Sequence, residues 1–278
     1  MTASLPLRLI EVPYDSGHRD ARMGSGPLAL ARAGAAARLR ERGHTVQERV
    51  VEAASQWRSE TTTAFELQHA VAAEAAAARE AGQFPLLLAG NCNHTVGMLA
   101  GGGLVWLDAH GDFNTPDTSP TGFLDGQALA MAVGRCWTAA VPKVALVPEP
   151  NVVLVGARSL DPAEESALRG SEVAWLPPDQ VRDVNRRSTV LAELAARVDT
   201  VHVHIDLDVY DPSLAPANSF AAPGGLLGDD VRGFLVELAA RTRITSAALA
   251  SYDPRGDQGH RIRDAALDVL LLLAELAA

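Results

Sequence analysis

The chain has 278 residues, 47% of them hydrophobic and 21% charged, with a formal net charge of −10. This is the profile of a globular protein large enough to bury an extensive core, and its negative charge speaks against nucleic acid or an anionic membrane as partner. Cys92 and Cys136 are too few for a disulfide scaffold, no apolar run reaches bilayer-spanning length, and the absence of a basic-then-apolar leader makes the cytoplasm the expected location.

Apolar strand-like runs alternate with Ala/Leu-rich helical stretches along the chain. Residues 7–12 read as a first strand, and 26–42 as a helix with Pro27 suited to its first turn. A second strand is expected over 44–51. A long helix covers 63–81; Thr61, Thr62 or Thr63 caps it, and Glu66 completes a capping box if the cap is Thr63. Short strands follow at 85–89 and 104–108. The polar loop 111–126 turns helical over 127–133. Strand 151–156 leads to a short helix over 161–168, with Asp161 as cap and Pro162 at its first position. Then come strand 172–176, helix 189–198 and strand 200–205. A Pro/Gly-rich loop, 211–228, precedes helix 229–241, strand 244–250 and a closing helix over 259–278. The alternation predicts one α/β domain over 1–278, a mostly parallel sheet with helices on both faces. In such sheets ligands bind beyond the carboxyl ends of the strands. The polar ends at 90–94, 108–112, 156–161, 206–212 and 251–257 therefore share one rim.

Two of these ends carry chemistry. Asp108, His110 and Asp112 alternate after one apolar strand, and His204, Asp206 and Asp208 alternate at the end of another. Alternate side chains of an extended segment share a face. Two neighbouring segments of this kind can surround a pair of divalent ions. Carboxylates and imidazoles without a thiolate cluster suit Mn²⁺, Fe²⁺, Ni²⁺ or Zn²⁺. Such ions lower the pKa of a shared water into the neutral range. A single Asp after a strand is more often a loop or helix cap; the two alternating sets together point to metal.

The runs resemble the arginase/agmatinase (ureohydrolase) family over nearly the whole chain. Asp108-Ala-His-Gly-Asp112 and Asp206-Leu-Asp-Val-Tyr-Asp-Pro212 carry the resemblance, supported by Gly24-Ser-Gly-Pro27 and Val155-Gly-Ala-Arg-Ser-Leu-Asp-Pro162. It implies a three-layer α/β/α fold, a binuclear Mn²⁺ centre and homo-oligomeric assembly. It also implies hydrolysis of a linear amidine C–N bond by a metal-bridging hydroxide. Asp108, His110, Asp112, Asp206 and Asp208 become metal ligands, with Asp112 and Asp206 as bridges and Asp112 orienting the nucleophile. In Leu88-Ala-Gly-Asn-Cys-Asn-His-Thr-Val-Gly97, an ungapped match places Cys92 where the family has a histidine ligand. His94 reaches that position only through a two-residue slip. Cys92 is the preferred ligand, His94 the alternative, and a buried filler role for Cys92 stays open.

The same resemblance places Asn114, Ser119 and Thr121 on positions that bind an α-carboxylate, and Asp161 on one that meets an α-amino group. Asp161 is equally well suited to capping a helix before Pro162. Together they imply a small amino-acid-like substrate, and agmatine-like molecules fit less well. Asp125 stands where arginases carry a histidine proton shuttle; at an ordinary pKa of about 4 it would be a poor acid at neutral pH. Ser251 stands where arginases grip the guanidinium with glutamate, and a hydroxyl cannot pair with a cation as a carboxylate does. Asp253 substitutes only after a backbone shift. Cys92 and the run Gly111-Asp-Phe-Asn-Thr-Pro are similar to a divergent branch of the family. That branch includes the enzyme that hydrolyses Nω-hydroxy-L-arginine in D-cycloserine biosynthesis; the class is carried over, and not the substrate. Two other readings are a catalytically weakened metal- or ligand-binding protein and a deacetylase-like amidohydrolase. His18, His69 and His202 read as structural, and Arg158 as a partner for a rim carboxylate.

Overall fold

The computed structural model describes residues 5–277. β1 (Leu7–Val12) leads into an antiparallel ribbon, β2 (Tyr14–Asp15) and β3 (His18–Arg19). The stretch expected as one helix over 26–42 is two, α1 (Gly26–Arg32) and α2 (Ala35–Glu41). The break falls at Gly34, whose φ of 93° lies in the left-handed region that glycine enters without steric cost. β4 (Val46–Val50) precedes α3 (Glu60–Glu80). That helix starts ahead of the expected position because Ser59, not a threonine, is its cap: Ser59 Oγ accepts from Thr62 N at 3.1 Å. The Glu66 carboxylate is engaged by Ser55 N at 2.8 Å, so it closes no capping box.

β5 (Phe84–Ala89), β6 (Gly103–Leu107), α4 (Ala128–Ala132), β7 (Val152–Val155), α5 (Pro162–Arg169) and β8 (Ala174–Leu176) follow, each within a residue or two of expectation. α6 (Pro178–Arg182) was not anticipated, and α7 (Val184–Ala195) starts earlier than 189. Asp183 explains the early start, since its carboxylate accepts from Asn185 N and Arg186 N. β9 (Thr200–Asp206), α8 (Gly228–Ala239), β10 (Arg243–Ala250) and α9 (Arg261–Leu276) complete the chain. The expected last residue of the closing helix, Ala278, lies outside the described residues.

Among the described residues, eight strands form one sheet in the order β4-β1-β5-β10-β9-β6-β7-β8, with every neighbouring pair parallel. Strand side chains alternate between two cores. Leu7, Leu9, Leu86, Leu88, Val203 and Ile205 pack with α1, α2, α7, α8 and α9. Ile10, Val12, Leu87, Trp106 and Leu154 pack on the other face with α3, α4 and the 3-10 turn Cys92–Met98. Each fully buried aliphatic side chain contributes about 1.5–3 kcal/mol, so both helical layers are held to the sheet and the three-layer α/β/α expectation holds.

β9 departs from apolar alternation on the second face, where it carries His202, His204 and Asp206. The histidines are buried and matched by hydroxyls: His202 Nδ1 is 2.6 Å from Ser246 Oγ, and His204 Nδ1 is 2.7 Å from Thr95 Oγ1. β5, β10, β9 and β6 are consecutive in the sheet. Cys92, Ser251, Asp206 and Asp108 lie at or just past their respective carboxyl ends, so these side chains converge at the middle of the rim.

Candidate metal centre and substrate cleft

Asp108 is anchored from both sides. Its Oδ1 accepts from His110 N at 2.7 Å and its Oδ2 from Trp106 Nε1 at 3.0 Å. His110 Nδ1 lies 3.3 Å from Asp108 Oδ1 and 3.4 Å from Asp208 Oδ2. Asp208 Oδ1 accepts from Ala109 N at 3.1 Å, which ties the ends of β6 and β9. Asp206 Oδ1 accepts from Asp208 N at 2.8 Å, and its Oδ2 from the Cys92 thiol at 3.0 Å. Asp112 has a φ of 49°, and its Oδ2 is buried with no hydrogen-bond partner. Ser251, at φ 64°, is also left-handed. Strained backbone at two positions facing one cleft is a common mark of functional sites.

The electrostatics are those of a cluster short of positive charge. Burial, then the Asp108, Asp125 and Asp206 carboxylates, push Asp112 well above the ordinary range. Burial and then Asp208 and Asp108 do the same to Asp206. Burial and Asp208 raise Asp108 as well. Asp208 is the exception: burial pushes it up, but the hydrogen bond and charge of His110 outweigh that and hold it at about 2. His110 is correspondingly raised to about 12, its carboxylate partners overcoming burial. Burial, followed by Asp206, pushes the Cys92 thiol up. Buried like charges at this density require protons or cations.

The donor geometry fits cations. Cys92, Asp108 and His204 form one group whose ligand atoms all lie within 4.8 Å of one another; Asp108, His110 and Asp208 form a second. Asp108 is common to both, whereas the resemblance gives the bridging positions to Asp112 and Asp206, neither of which belongs to either group. His94 is buried but belongs to neither group, so proximity favours Cys92. The open Asp112 Oδ2 gives the cluster a further acceptor.

A cleft of about 230 Å³ opens above this cluster. Asn114, Ser119, Thr121 and Asp161 line it together with Asp112, Asp125 and Ser251, so the predicted substrate residues are brought to one place. Asn114 Nδ2 donates to Asp161 Oδ2 at 3.0 Å. Ser119 Oγ and Thr121 Oγ1 accept from Gly122 N and Phe123 N within their own loop. Asp253 lies apart from these residues, tied to Arg255 at 2.7 Å, and does not replace the missing carboxylate at Ser251. Ser251 Oγ is 3.2 Å from Cys92 Sγ.

Asp125 differs from expectation in its acidity. Burial pushes it up to about 8, against the pull of the Asn93 and Asn91 hydrogen bonds. Its Oδ1 accepts from Asn93 N at 2.8 Å and Asn93 Nδ2 at 3.2 Å, and its Oδ2 from Asn91 Nδ2 at 2.9 Å. Arg158 also differs: it donates to the carbonyls of Asp208 and Ala222 rather than to a rim carboxylate, and so holds the loop after β9.

Two further residues, Asn218 and Glu164, brace the cleft. Asn218 Nδ2 bridges Asp208 Oδ2 at 3.3 Å and the Ser251 carbonyl at 2.9 Å. Glu164 accepts from Phe113 N at 2.8 Å and from Asp161 N at 3.2 Å, locking the loop after β6 onto α5. Glu164 is three residues past Asp161, a spacing that signals a capping box; Asn218 sits in an irregular loop and carries no such signal.

The arginase of Bacillus caldovelox is 30% identical over 95% of this chain and 96% of its own length. The crystal structure of arginase from Bacillus cereus superposes with a TM-score of 0.86 at 27% identity, covering 98% of this chain and 99% of that one. Formimidoylglutamase from Bacillus subtilis shares the fold, with a TM-score of 0.77 at 18% identity over 99% of this chain and 88% of that one. The arginase family model matches residues 6–274, and the chain belongs to the arginase family.

Proposed function

We propose that this protein is a metal-dependent hydrolase that cleaves a C–N bond of a guanidino, hydroxyguanidino or formimino group on an amino acid. The supporting observation is the pair of donor groups sharing Asp108, set directly beneath a cleft with an Asn114–Asp161 clamp. Cys92, Asp108, His110, Asp112, Asp206 and Asp208 would hold two divalent ions. When bound, such ions supply the positive charge that makes water nucleophilic at neutral pH.

The remaining steps belong to the side chains. Asn114, Ser119 and Thr121 receive the substrate's carboxylate, and Asp161 its ammonium, which fixes the trigonal carbon over the cluster. With cations bound, Asp112 would be ionised, and its Oδ2, which has no hydrogen-bond partner, would accept a proton from the attacking water. Asp125, whose carboxyl is pushed up by burial, is the group that delivers a proton to the leaving nitrogen. Buried Ser251, beside Cys92, offers the cleft only a hydroxyl, so a group less basic than guanidinium is preferred. The cleft volume lies below the about 300–1,000 Å³ of drug-sized sites, which suits a compact amino acid better than a long acyl chain.

The test is a screen of metal-loaded enzyme against L-arginine, Nω-hydroxy-L-arginine and N-formimino-L-glutamate, following release of urea, hydroxyurea and ammonia. The expected result is turnover of a hydroxyguanidino or formimino compound in preference to arginine, lost in Asp206→Asn. Absence of release from every compound by protein that demonstrably carries metal would sink the reading.

A further inference from the structure

We propose that His204 is itself a metal ligand, completing the coordination of the ion held by Cys92 and Asp108. The proposal rests on the metal-dependent reading above. His204 has no exposed surface and lies on the face of β9 that carries Asp206. Its Nδ1 is 2.7 Å from Thr95 Oγ1, whereas its Nε2 is buried with no partner. Leaving a buried polar atom unpaired is costly, so the open nitrogen calls for a partner. An imidazole with one nitrogen tied to a hydroxyl and the other open is the form that binds divalent ions, because the hydrogen bond fixes tautomer and orientation.

The surroundings support the same role. One His204 nitrogen, Cys92 Sγ and an Asp108 oxygen lie within 4.8 Å of one another, within reach of a cation with bonds of about 2.0–2.3 Å. Trp106 stacks on the His204 ring, with centroids 3.7 Å apart, and its Nε1 donates to Asp108 Oδ2. One tryptophan thus orients two of the three donors. Cys92 removes an imidazole from the position where the family resemblance expects one, and His204 supplies an imidazole from the neighbouring strand. A Cys/His/Asp set is softer than the Asp108, His110 and Asp208 set. The Cys92 position should therefore prefer Zn²⁺ or Co²⁺, and the His110 position should accept Mn²⁺.

The test is X-ray absorption on wild-type protein loaded with zinc, together with metal titration of His204→Ala and Thr95→Val. The expected wild-type spectrum shows two imidazoles and one sulfur per two zinc ions. His204→Ala is expected to lose one imidazole and at least tenfold in affinity for one ion. Thr95→Val keeps the imidazole but loosens it, and should weaken the same ion without changing the imidazole count. A wild-type spectrum with His110's imidazole alone would overturn the proposal, whether or not the alanine variant folds. So would a folded His204→Ala protein with unchanged affinities and spectrum. If Asp206→Asn loses metal while His204→Ala does not, the metal-dependent reading stands and the His204 assignment alone falls. Wild-type protein that takes up no metal would overturn both.

Discussion

Asn114 Nδ2 donates to Asp161 Oδ2 across 3.0 Å, joining the loop after β6 to the first turn of α5 at the cleft wall. At the helix start, the bond that reaches back runs from Asp161 N to Glu164 Oε2, leaving the Asp161 carboxylate directed at the cleft. Asp161→Ala is therefore expected to raise KM for an amino-acid substrate tenfold or more and to change kcat less. A residue that served only as a helix cap would cost about 1 kcal/mol of stability and leave KM alone. Paired melting and steady-state measurements separate the two, and a desamino substrate should abolish the KM difference.

The acidity of Asp125 predicts a rate effect. General acid catalysis contributes about 10²–10⁴-fold. Asp125→Asn should therefore lower kcat within that range while leaving metal content unchanged. Asn93→Ala removes the side-chain donor 3.2 Å from Asp125 Oδ1 but keeps the backbone one, and should cost far less. Equal losses in the two variants would make Asp125 a clamp on the Cys92 turn rather than a proton donor.

Ser251 predicts a specificity switch. A charge-assisted hydrogen bond is worth about 1.5–3 kcal/mol, equivalent to about 10–150-fold. Ser251→Glu should shift the ratio of kcat/KM for arginine over Nω-hydroxy-L-arginine toward arginine by about that factor. An unmoved ratio would show that another group sets the preference.

Glu11 makes a pH prediction away from the site. It is buried on β1, and burial, then Glu48, push its carboxyl up to about 7 from 4.5. The folded state therefore keeps a proton that the unfolded chain releases. Its contribution is fully present below about pH 4.5 and is lost as pH rises through 7, at a cost on the order of 3 kcal/mol. Glu11→Gln should melt higher than wild type at pH 8, and the gap should narrow as pH falls toward 4.5. A constant gap across that range would contradict the assignment.

The alternation of apolar runs with helical stretches sufficed for the α/β class and the parallel sheet, because βαβ connectivity and strand burial are written locally. Asp108, His110, Asp206 and Asp208 stand out in the sequence by their spacing after apolar runs, but strand alternation does not place them all: β6 ends at Leu107, and Asp208 lies in the 3-10 turn Leu207–Val209. The break at Gly34 and the early starts of α3 and α7 were missed because caps and left-handed residues act through single hydrogen bonds and dihedrals. Three matters depended on the tertiary structure: that Cys92 and not His94 meets Asp206, that Asp108 is shared by both donor groups, and that burial lifts Asp125. Each requires four strands adjacent in the sheet, β5, β10, β9 and β6, to bring distant residues within a few ångströms and away from water. Sequence spacing records which groups a strand presents; only packing determines which of them meet, and how far a shared dry environment moves their charge.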